Sequence, residues 1–144
     1  MSFVLDSSIA LTWCFEDEAT PAADALLMRL SYDGAYAPSL WPLEVLNALL
    51  MAQRRRRMTE EARQDRTMFL RKLPITLDPE TAAQAWGTTN RLAERHRLTL
   101  YDAAYLELAQ RLDLPLASLD ADLREAAKAL GIPLLGMLED PAQV

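Results

Sequence analysis

Short apolar runs alternate along the chain with longer segments that have helical spacing. The apolar runs predict buried strands at residues 2–5 ("SFVL"), 35–38 ("AYAP"), 115–119 ("PLASL") and 132–136 ("IPLLG"), with a short extended piece at 75–77 ("ITL"). Continuous apolar strands that alternate with helices are typical of a parallel sheet covered on both faces. We therefore predict an α/β fold with a short-stranded, mainly parallel central sheet.

The segments between these runs predict helices. They cover residues 7–16, 20–30, 40–53, 59–73, 78–96, 97–112 and 120–130. Thr20 followed by Pro21 is a helix-start signal, Thr59 begins another helix, and Asp78-Pro79 is expected to cap the long helix that runs to His96. Gly131 is expected to stop the last helix.

Composition limits the kind of protein this can be. The 144 residues are 51% hydrophobic, which fits one domain with a single core. The net charge of −6 argues against binding nucleic acid by bulk charge alone, so a polyanion would need a local basic patch or metal ions. The lone Cys14 excludes an intrachain disulfide and is expected to be a small buried hydrophobe, which fits a reducing cytoplasm. No apolar run approaches the length of a membrane span, and the first residues do not resemble a signal peptide.

Four acids, well separated in the sequence, fall near helix starts that follow strands. Asp6 follows the first strand, Glu44 lies early in the helix after "AYAP", Asp102 lies in the first turn of its helix, and Asp120 follows "PLASL". In parallel α/β folds, ligands bind beyond the carboxyl ends of the strands, where helix N-termini also point. We expect these four side chains to face one crevice.

Each acid also has a local explanation. Asp6 and Asp120 could be helix N-caps, Thr99 and Asp102 form a capping-box pattern, and Glu44 could be a first-turn acid that interacts with the helix dipole. These alternatives stay open for each residue taken alone.

Helix geometry favours an inward direction for Asp102. Glu107, Gln110 and Arg111 define a polar face of the helix at 97–112, and Asp102 lies roughly 130° from the middle of that face. Glu44 is likewise surrounded by apolar neighbours in its helix. Two inward acids with no obvious basic partner predict a shared cation.

Oxygen ligands of this kind are the ones that Mg²⁺ prefers, whereas zinc is not expected without a Cys/His cluster. His96 is the only histidine and is predicted to lie on the surface, so histidine-based catalysis is not expected. The four glycines are scattered and form no phosphate-binding loop.

The motifs that carry these acids resemble a known family. "VLDSSIAL", "PSLWPLEVLNAL", "LTLYDAAYLELA" and "LASLDADL" are similar to the four acidic motifs of PIN-domain nucleases. Their order and the chain length resemble the VapC-type toxin ribonucleases of prokaryotic toxin-antitoxin pairs. The resemblance implies a single PIN domain over residues 1–144, with a PIN-like three-layer α/β/α sandwich.

Carried over by position, the resemblance implies that Asp6, Glu44, Asp102 and Asp120 are the catalytic quartet, with Asp6 and Asp102 as the Mg²⁺ ligands. Ser8 and Ser118 resemble supporting hydroxyl residues, although many relatives have Thr at the position of Ser118. Asp122 is either a helper or, more simply, a solvated helix acid.

The implied activity is hydrolysis of RNA, typically tRNA or rRNA, by a water that Mg²⁺ or Mn²⁺ activates. The resemblance also implies a homodimer and a cognate VapB-like antitoxin, with no membrane partner. The apolar surfaces of "SSIALTWCF" and "VLNALLMAQ" would suit an antitoxin helix, and core packing explains them equally well.

The densest basic run is Arg54, Arg55, Arg56 and Arg57, a candidate RNA-binding patch. A solvated helix end, stabilised by cations at its C-terminus, explains the same run.

Two other classes of protein are alternatives to a nuclease. A receiver domain or an aspartyl-phosphate phosphatase would need a lysine near a late strand, and neither Lys72 nor Lys128 ends one. A non-catalytic PIN-like interaction module is the main alternative.

Overall fold

The computed structural model describes residues 1–140. Its centre is a five-stranded sheet in the order β3-β2-β1-β4-β5, in which every neighbouring pair is parallel. The strands are β1 (Val4–Leu5), β2 (Ala35–Pro38), β3 (Ile75–Asp78), β4 (Leu116–Ala117) and β5 (Leu134–Leu135). The predicted parallel α/β fold is confirmed.

Helices flank the sheet and connect its strands. They are α1 (Ser7–Thr12), α2 (Pro21–Asp33), α3 (Trp41–Arg54), α4 (Glu60–Arg71), α5 (Thr81–Gln84), α6 (Asn90–His96), α7 (Leu100–Leu112) and α8 (Ala121–Ala129). A 3₁₀ turn covers Glu16–Glu18, and a π-helical turn covers Ala85–Thr89.

Three threonines start helices as the sequence predicts. The hydroxyl oxygens of Thr20, Thr59 and Thr99 each accept the backbone N–H three residues later, at 3.1 Å. Each bond satisfies one of the N–H groups that a helix start leaves without a partner. Thr99 therefore fixes the N-terminus of α7, where Asp102 lies.

Several predicted boundaries are wrong. The first, fourth and fifth strands have two residues each, and α1 ends at Thr12 rather than continuing to residue 16. The helix predicted for 78–96 begins only at Thr81, and the π turn around Gly87 interrupts it. A glycine lowers helix propensity at an interior position, which is consistent with a break there. Contrary to the prediction, Asp78 is not the N-cap of this helix; it is the last residue of β3, and Glu80 holds the N-cap position.

Helix α7 lies at the centre of the core. Residues 103–109 are all buried, and α7 packs against β1, β2, β4, α6 and α8. Tyr105 and Leu106 are fully enclosed, as are Phe3 and Leu5 of the sheet region. This packing places α7, whose first turn carries Asp102, beside the central strands.

Helical spacing places Glu107 with Arg111 on a polar face of α7, but Glu107 is not exposed to solvent. Its side chain is buried and accepts a hydrogen bond from Arg111 Nε at 2.7 Å. The Arg111 guanidinium also bonds the buried Asp78 at the end of β3. Arg111 therefore pairs with two buried carboxylates, Glu107 of its own helix and Asp78 of β3, and this side of α7 packs against the protein instead of facing solvent.

Cys14 is buried, as predicted, and burial raises the pKa of its thiol to about 11. Among residues 1–140, no helix is long and apolar enough to cross a membrane.

Candidate active site

The four sequence-predicted acids lie beyond the carboxyl ends of the three central strands. Asp6 follows β1, Glu44 lies in the first turn of α3 after β2, and Asp120 lies between β4 and α8. Asp102 lies in the first turn of α7, which packs across these strands. The arrangement follows from the parallel topology, which places all three strand ends at one edge of the sheet.

Asp6 is buried and is held by two serine hydroxyls. Ser8 Oγ and Ser118 Oγ both donate to Asp6 Oδ2, at 2.6 and 2.8 Å. The same two hydroxyl oxygens accept the backbone N–H groups of Leu119 and Asp120, at 2.9 and 3.0 Å. The serines therefore tie the first acidic motif to the loop that carries the last one.

Glu44 is held by Tyr105, a residue that the sequence motifs did not assign to the site. The hydroxyl of Tyr105, which is fully buried, donates to Glu44 Oε1. Burial and the adjacent Glu44 charge raise the pKa of the Tyr105 hydroxyl above its ordinary range. The sequence contains one indication of this role: Tyr105 lies one helical turn after Asp102, on the same inward edge of the helix.

The acids interact electrostatically. Burial raises the pKa of Asp6, the Ser8 and Ser118 hydrogen bonds oppose the rise, and the Asp120 charge adds to it. Burial also raises the pKa of Glu44, with Asp6 and Asp102 adding to the rise. The pKa of Asp102 is raised by burial and then by the charges of Asp120 and Asp6. Mutual repulsion of this kind indicates that all four carboxylates share one crevice.

The helix-cap explanation holds for one of the acids and fails for another. Asp120 Oδ2 accepts the backbone N–H of Leu123 at 2.8 Å, so Asp120 is a true N-cap of α8. Asp6 occupies the N-cap position of α1 but makes no capping bond with its side chain. Its buried carboxylate therefore needs another explanation.

A divalent cation fits this set of donors. Within residues 1–140, no arginine, lysine or histidine forms an ion pair with any of the four acids. In the same range, no group of three or more His, Cys, Asp or Glu side chains is arranged so that it could hold a metal by itself. An ion such as Mg²⁺, which binds one or two carboxylates directly and keeps several waters, suits these residues better than zinc, which needs three or four protein ligands.

His96 is not the surface residue that the sequence predicts. It is half-buried at the end of α6, and its Nε2 is enclosed with no hydrogen-bond partner among the described residues. His96 lines a cavity of about 230 Å³ together with Asp122 and Glu125 of α8. Asp122 is exposed, and its charge contributes to the raised pKa of Asp102, so it lies at the margin of the acidic crevice.

The basic run at the end of α3 divides into two parts. Arg54, Arg55 and Arg56 are exposed and form no ion pair with the described part of the chain. Arg57 pairs with Asp17 at 3.4 Å and Glu18 at 3.3 Å, and its guanidinium lies 4.6 Å from the Phe15 ring centre. Three of the four arginines therefore remain available to a phosphate backbone.

Comparison with known proteins identifies the family and the fold. Residues 3–129 match the family model described as PIN domain. No curated protein matches the sequence at a significant level. The fold is similar to the crystal structure of PAE2754 from Pyrobaculum aerophilum, with a TM-score of 0.68 and 21% sequence identity over 93% of this chain and 89% of that chain. PIN domains are generally nucleases, which supports assignment to the hydrolases. Because the family model covers most of the sequence, the chain belongs to the PIN domain family.

Proposed function

We propose that this PIN domain, formed by residues 1–144, is a Mg²⁺- or Mn²⁺-dependent endoribonuclease of the VapC toxin type that cuts tRNA or rRNA. The observation that carries the proposal is the group of four neighbouring carboxylates, none of which forms an ion pair with a cation in residues 1–140. Burial first, and then neighbouring carboxylates, raise the pKa of Asp6, Glu44 and Asp102. Such a set of charges is tolerable when a divalent ion neutralises it.

Asp6 and Asp102 are the proposed metal ligands. The Ser8 and Ser118 hydroxyls both bond one oxygen of Asp6 and so fix the orientation of its carboxylate. A bound divalent ion would lower the pKa of a water molecule and offset charge that develops on a phosphate.

Glu44 and Asp120 complete the proposed catalytic set. The raised pKa of Glu44 suits a group that accepts a proton from the attacking water, and Tyr105 holds its carboxylate in place. Asp120 is fixed by its bond to the backbone N–H of Leu123.

The proposal includes two macromolecular partners. RNA bound at the crevice would extend along α3 to Arg54–Arg56 at the other end of that helix, because exposed guanidinium groups suit phosphate contacts. A cognate VapB-like antitoxin would cover the crevice in a cytoplasmic complex, and the toxin would form a homodimer. Leu43, which is 75% exposed on α3, supports an apolar protein contact near Glu44.

The test is RNA cleavage by the purified chain, free of any copurifying partner, with added Mg²⁺ or with EDTA. We expect cleavage only with the metal, and loss of activity to background in Asp6→Asn and Asp102→Asn. Asp113→Asn is the matched control, because Asp113 is an exposed residue at the C-terminus of the same helix as Asp102. Cleavage that persists in EDTA, or in Asp102→Asn at the wild-type rate, would contradict the proposal.

A non-catalytic interaction module predicts different results. Such a protein would show no metal-dependent cleavage, and Mg²⁺ or Mn²⁺ would leave its melting temperature unchanged. The nuclease proposal predicts that the metal raises the melting temperature of the wild type and of Asp113→Asn but not of Asp6→Asn.

A further inference from the structure

Arg124 is a buried cation on α8, one helical turn after Asp120. Only 6% of its surface is exposed, and its backbone N–H donates to the carbonyl of Asp120 at 2.9 Å. The other buried residues of this helix, Leu123, Ala126 and Ala127, are apolar. Replacing a buried ion pair with apolar residues of similar volume is often neutral or stabilising, so packing alone does not explain an arginine here.

The guanidinium of Arg124 joins three segments of the chain. Nη1 donates to the carbonyl oxygens of Ser118, at 2.8 Å, and of Leu135, at 3.3 Å. Nη2 donates to Asp140 Oδ1, and the other oxygen of this carboxylate accepts the backbone N–H of Met137 at 2.8 Å. The arginine therefore ties together the residue after β4, the end of β5 and the turn that follows β5.

The segment after β5 also packs closely against the residues that carry the first and last acidic motifs. Gly136 has a φ of 112°, and a Cβ at this position would lie 2.6 Å from Ile9 Cδ1 of α1 and 3.6 Å from the Ser118 carbonyl oxygen. Both the positive φ and the close approach favour glycine. Asp140, four residues later in the same segment, reaches Arg124.

Ser118 connects Arg124 to the acidic crevice. Its carbonyl accepts the Arg124 bond, while its hydroxyl donates to Asp6 Oδ2 at 2.8 Å and accepts the backbone N–H of Asp120 at 3.0 Å. Within residues 1–140, the Arg124 guanidinium forms no hydrogen bond or ion pair with any of the four acids. Its hydrogen-bonded connection to Asp6 therefore runs through Ser118.

We propose that Arg124 is a positioning residue for metal binding that acts through Ser118, and that Asp140 holds it in place. This inference rests on the proposed function. Fixing the Ser118 backbone fixes the direction of its hydroxyl and so the orientation of the Asp6 carboxylate. Loss of a hydrogen-bond partner of a metal ligand typically costs roughly 10–100-fold in metal affinity or activity, and because Arg124 acts one residue further away, we expect about fivefold.

The test is a double-mutant cycle on the dissociation constant of Mn²⁺ for the full chain without RNA, measured by electron paramagnetic resonance of the free ion. Arg124→Lys keeps the charge that pairs with Asp140, but one ammonium nitrogen cannot replace both Nη1 and Nη2. It should weaken Mn²⁺ binding about fivefold or more in the wild-type background. In the Ser118→Ala background the same change should cost less than about twofold, because the hydroxyl that transmits the effect is absent.

Arg111→Lys is the matched control. Arg111 also bonds two buried carboxylates, those of Asp78 and Glu107, but it has no contact with Ser118 among its hydrogen bonds in residues 1–140. Its Mn²⁺ affinity should stay within about twofold of the wild type, because the network that it weakens does not orient Asp6.

Two further measurements separate positioning from a purely structural role. Thermal unfolding shows which variants are folded at the temperature of the titration, and if Arg124→Lys is not, Arg124→Met combined with Asp140→Leu takes its place, because that pair leaves no buried charge without a partner. For RNA cleavage at saturating Mn²⁺, the folded Arg124 variant should have a lower kcat and a KM for RNA within about twofold of the wild type.

The inference is overturned if the wild type binds Mn²⁺ and the folded Arg124 variant binds it equally well. It is also overturned if the loss is as large in the Ser118→Ala background, or if Arg111→Lys loses as much affinity. A wild type that neither binds Mn²⁺ nor cleaves RNA would refute the proposed function itself, and this inference with it.

Discussion

Replacing Asp6 with asparagine should make the metal-free protein more stable while abolishing its proposed activity. Asp6 is 3% exposed, has no cationic partner in the described structure, and lies near the Asp120 charge. Both serine hydroxyls donate to the same oxygen, Oδ2. The carbonyl oxygen of an asparagine can accept both bonds, while its amide group removes the negative charge.

The size of the gain follows from the balance of two effects. Removal of a buried, unpaired charge stabilises the folded state, and weaker hydrogen bonds from the serines to a neutral acceptor oppose this. Each pKa unit by which burial disfavours the charged form corresponds to about 1.4 kcal/mol. We expect a net gain on the order of 1–3 kcal/mol in the free energy of unfolding. For a domain of this size, the melting temperature should rise by about 3–10 °C.

The assay is thermal unfolding of the wild type, Asp6→Asn and the control Asp113→Asn in EDTA, over a range of pH. The pKa of Asp6 is raised above its ordinary value of 3.8, so the folded wild type takes up a proton more readily than the unfolded chain. Its stability therefore rises, relative to Asp6→Asn, as the pH falls through the raised pKa, and this change is complete near pH 3.8. The advantage of Asp6→Asn should be largest near neutral pH and should narrow on acidification.

A lower melting temperature of Asp6→Asn than of the wild type, in EDTA at neutral pH, would refute the reasoning. The Asp6 charge would then be compensated within the protein, and the crevice would need no cation. An equal shift in Asp113→Asn would show that the change reports a general effect of lost surface charge.

Three further predictions concern other parts of the structure. Tyr105→Phe should lower the free energy of unfolding by about 1–2 kcal/mol, because it removes the hydrogen bond to Glu44. In the wild type this bond lowers the pKa of Glu44, so its loss should raise that pKa and move the acid limb of the pH-rate profile for RNA cleavage to higher pH. Arg111→Gln should reduce the free energy of unfolding by about 2–4 kcal/mol in denaturant titrations, because it leaves two buried carboxylates unpaired. When all three of Arg54–Arg56 are changed to glutamine, RNA binding should depend less on salt. The slope of log K against log salt concentration, measured by fluorescence anisotropy, should become less steep by up to about 2. Arg57→Gln, whose charge is already paired, should leave that slope unchanged.

The fold and the acidic crevice were predictable because their signals are local. Short apolar runs mark the strands, and an acid directly after a strand lies at the sheet edge whatever the length of the intervening helices. The positions of Asp6 and Asp120 follow from this rule alone. The supporting role of Ser8 was predicted from the resemblance of its motif to the PIN family, and Ser8 does donate a hydrogen bond to Asp6.

Other features were not predictable because they depend on contacts between distant segments. Helical spacing places Glu107 with Arg111 on a polar face, but it cannot show that Asp78, 33 residues away from Arg111, joins and helps to bury that pair. The same limit applies to the enclosed Nε2 of His96, because His96 shares a cavity with residues of α8 that lie more than 25 positions later in the chain. The bond between Tyr105 and Glu44 spans 61 residues and has no sequence signal beyond inward direction.

The serine bridges between distant segments have a consequence for biosynthesis. Ser118, which holds Asp6, lies 112 residues after it, and Asp120 follows that serine. A growing polypeptide on the ribosome therefore cannot bring the four acids together until the segment with Ser118 and Asp120 has emerged. If the proposed function is correct, cleavage of RNA would begin only after that point of synthesis.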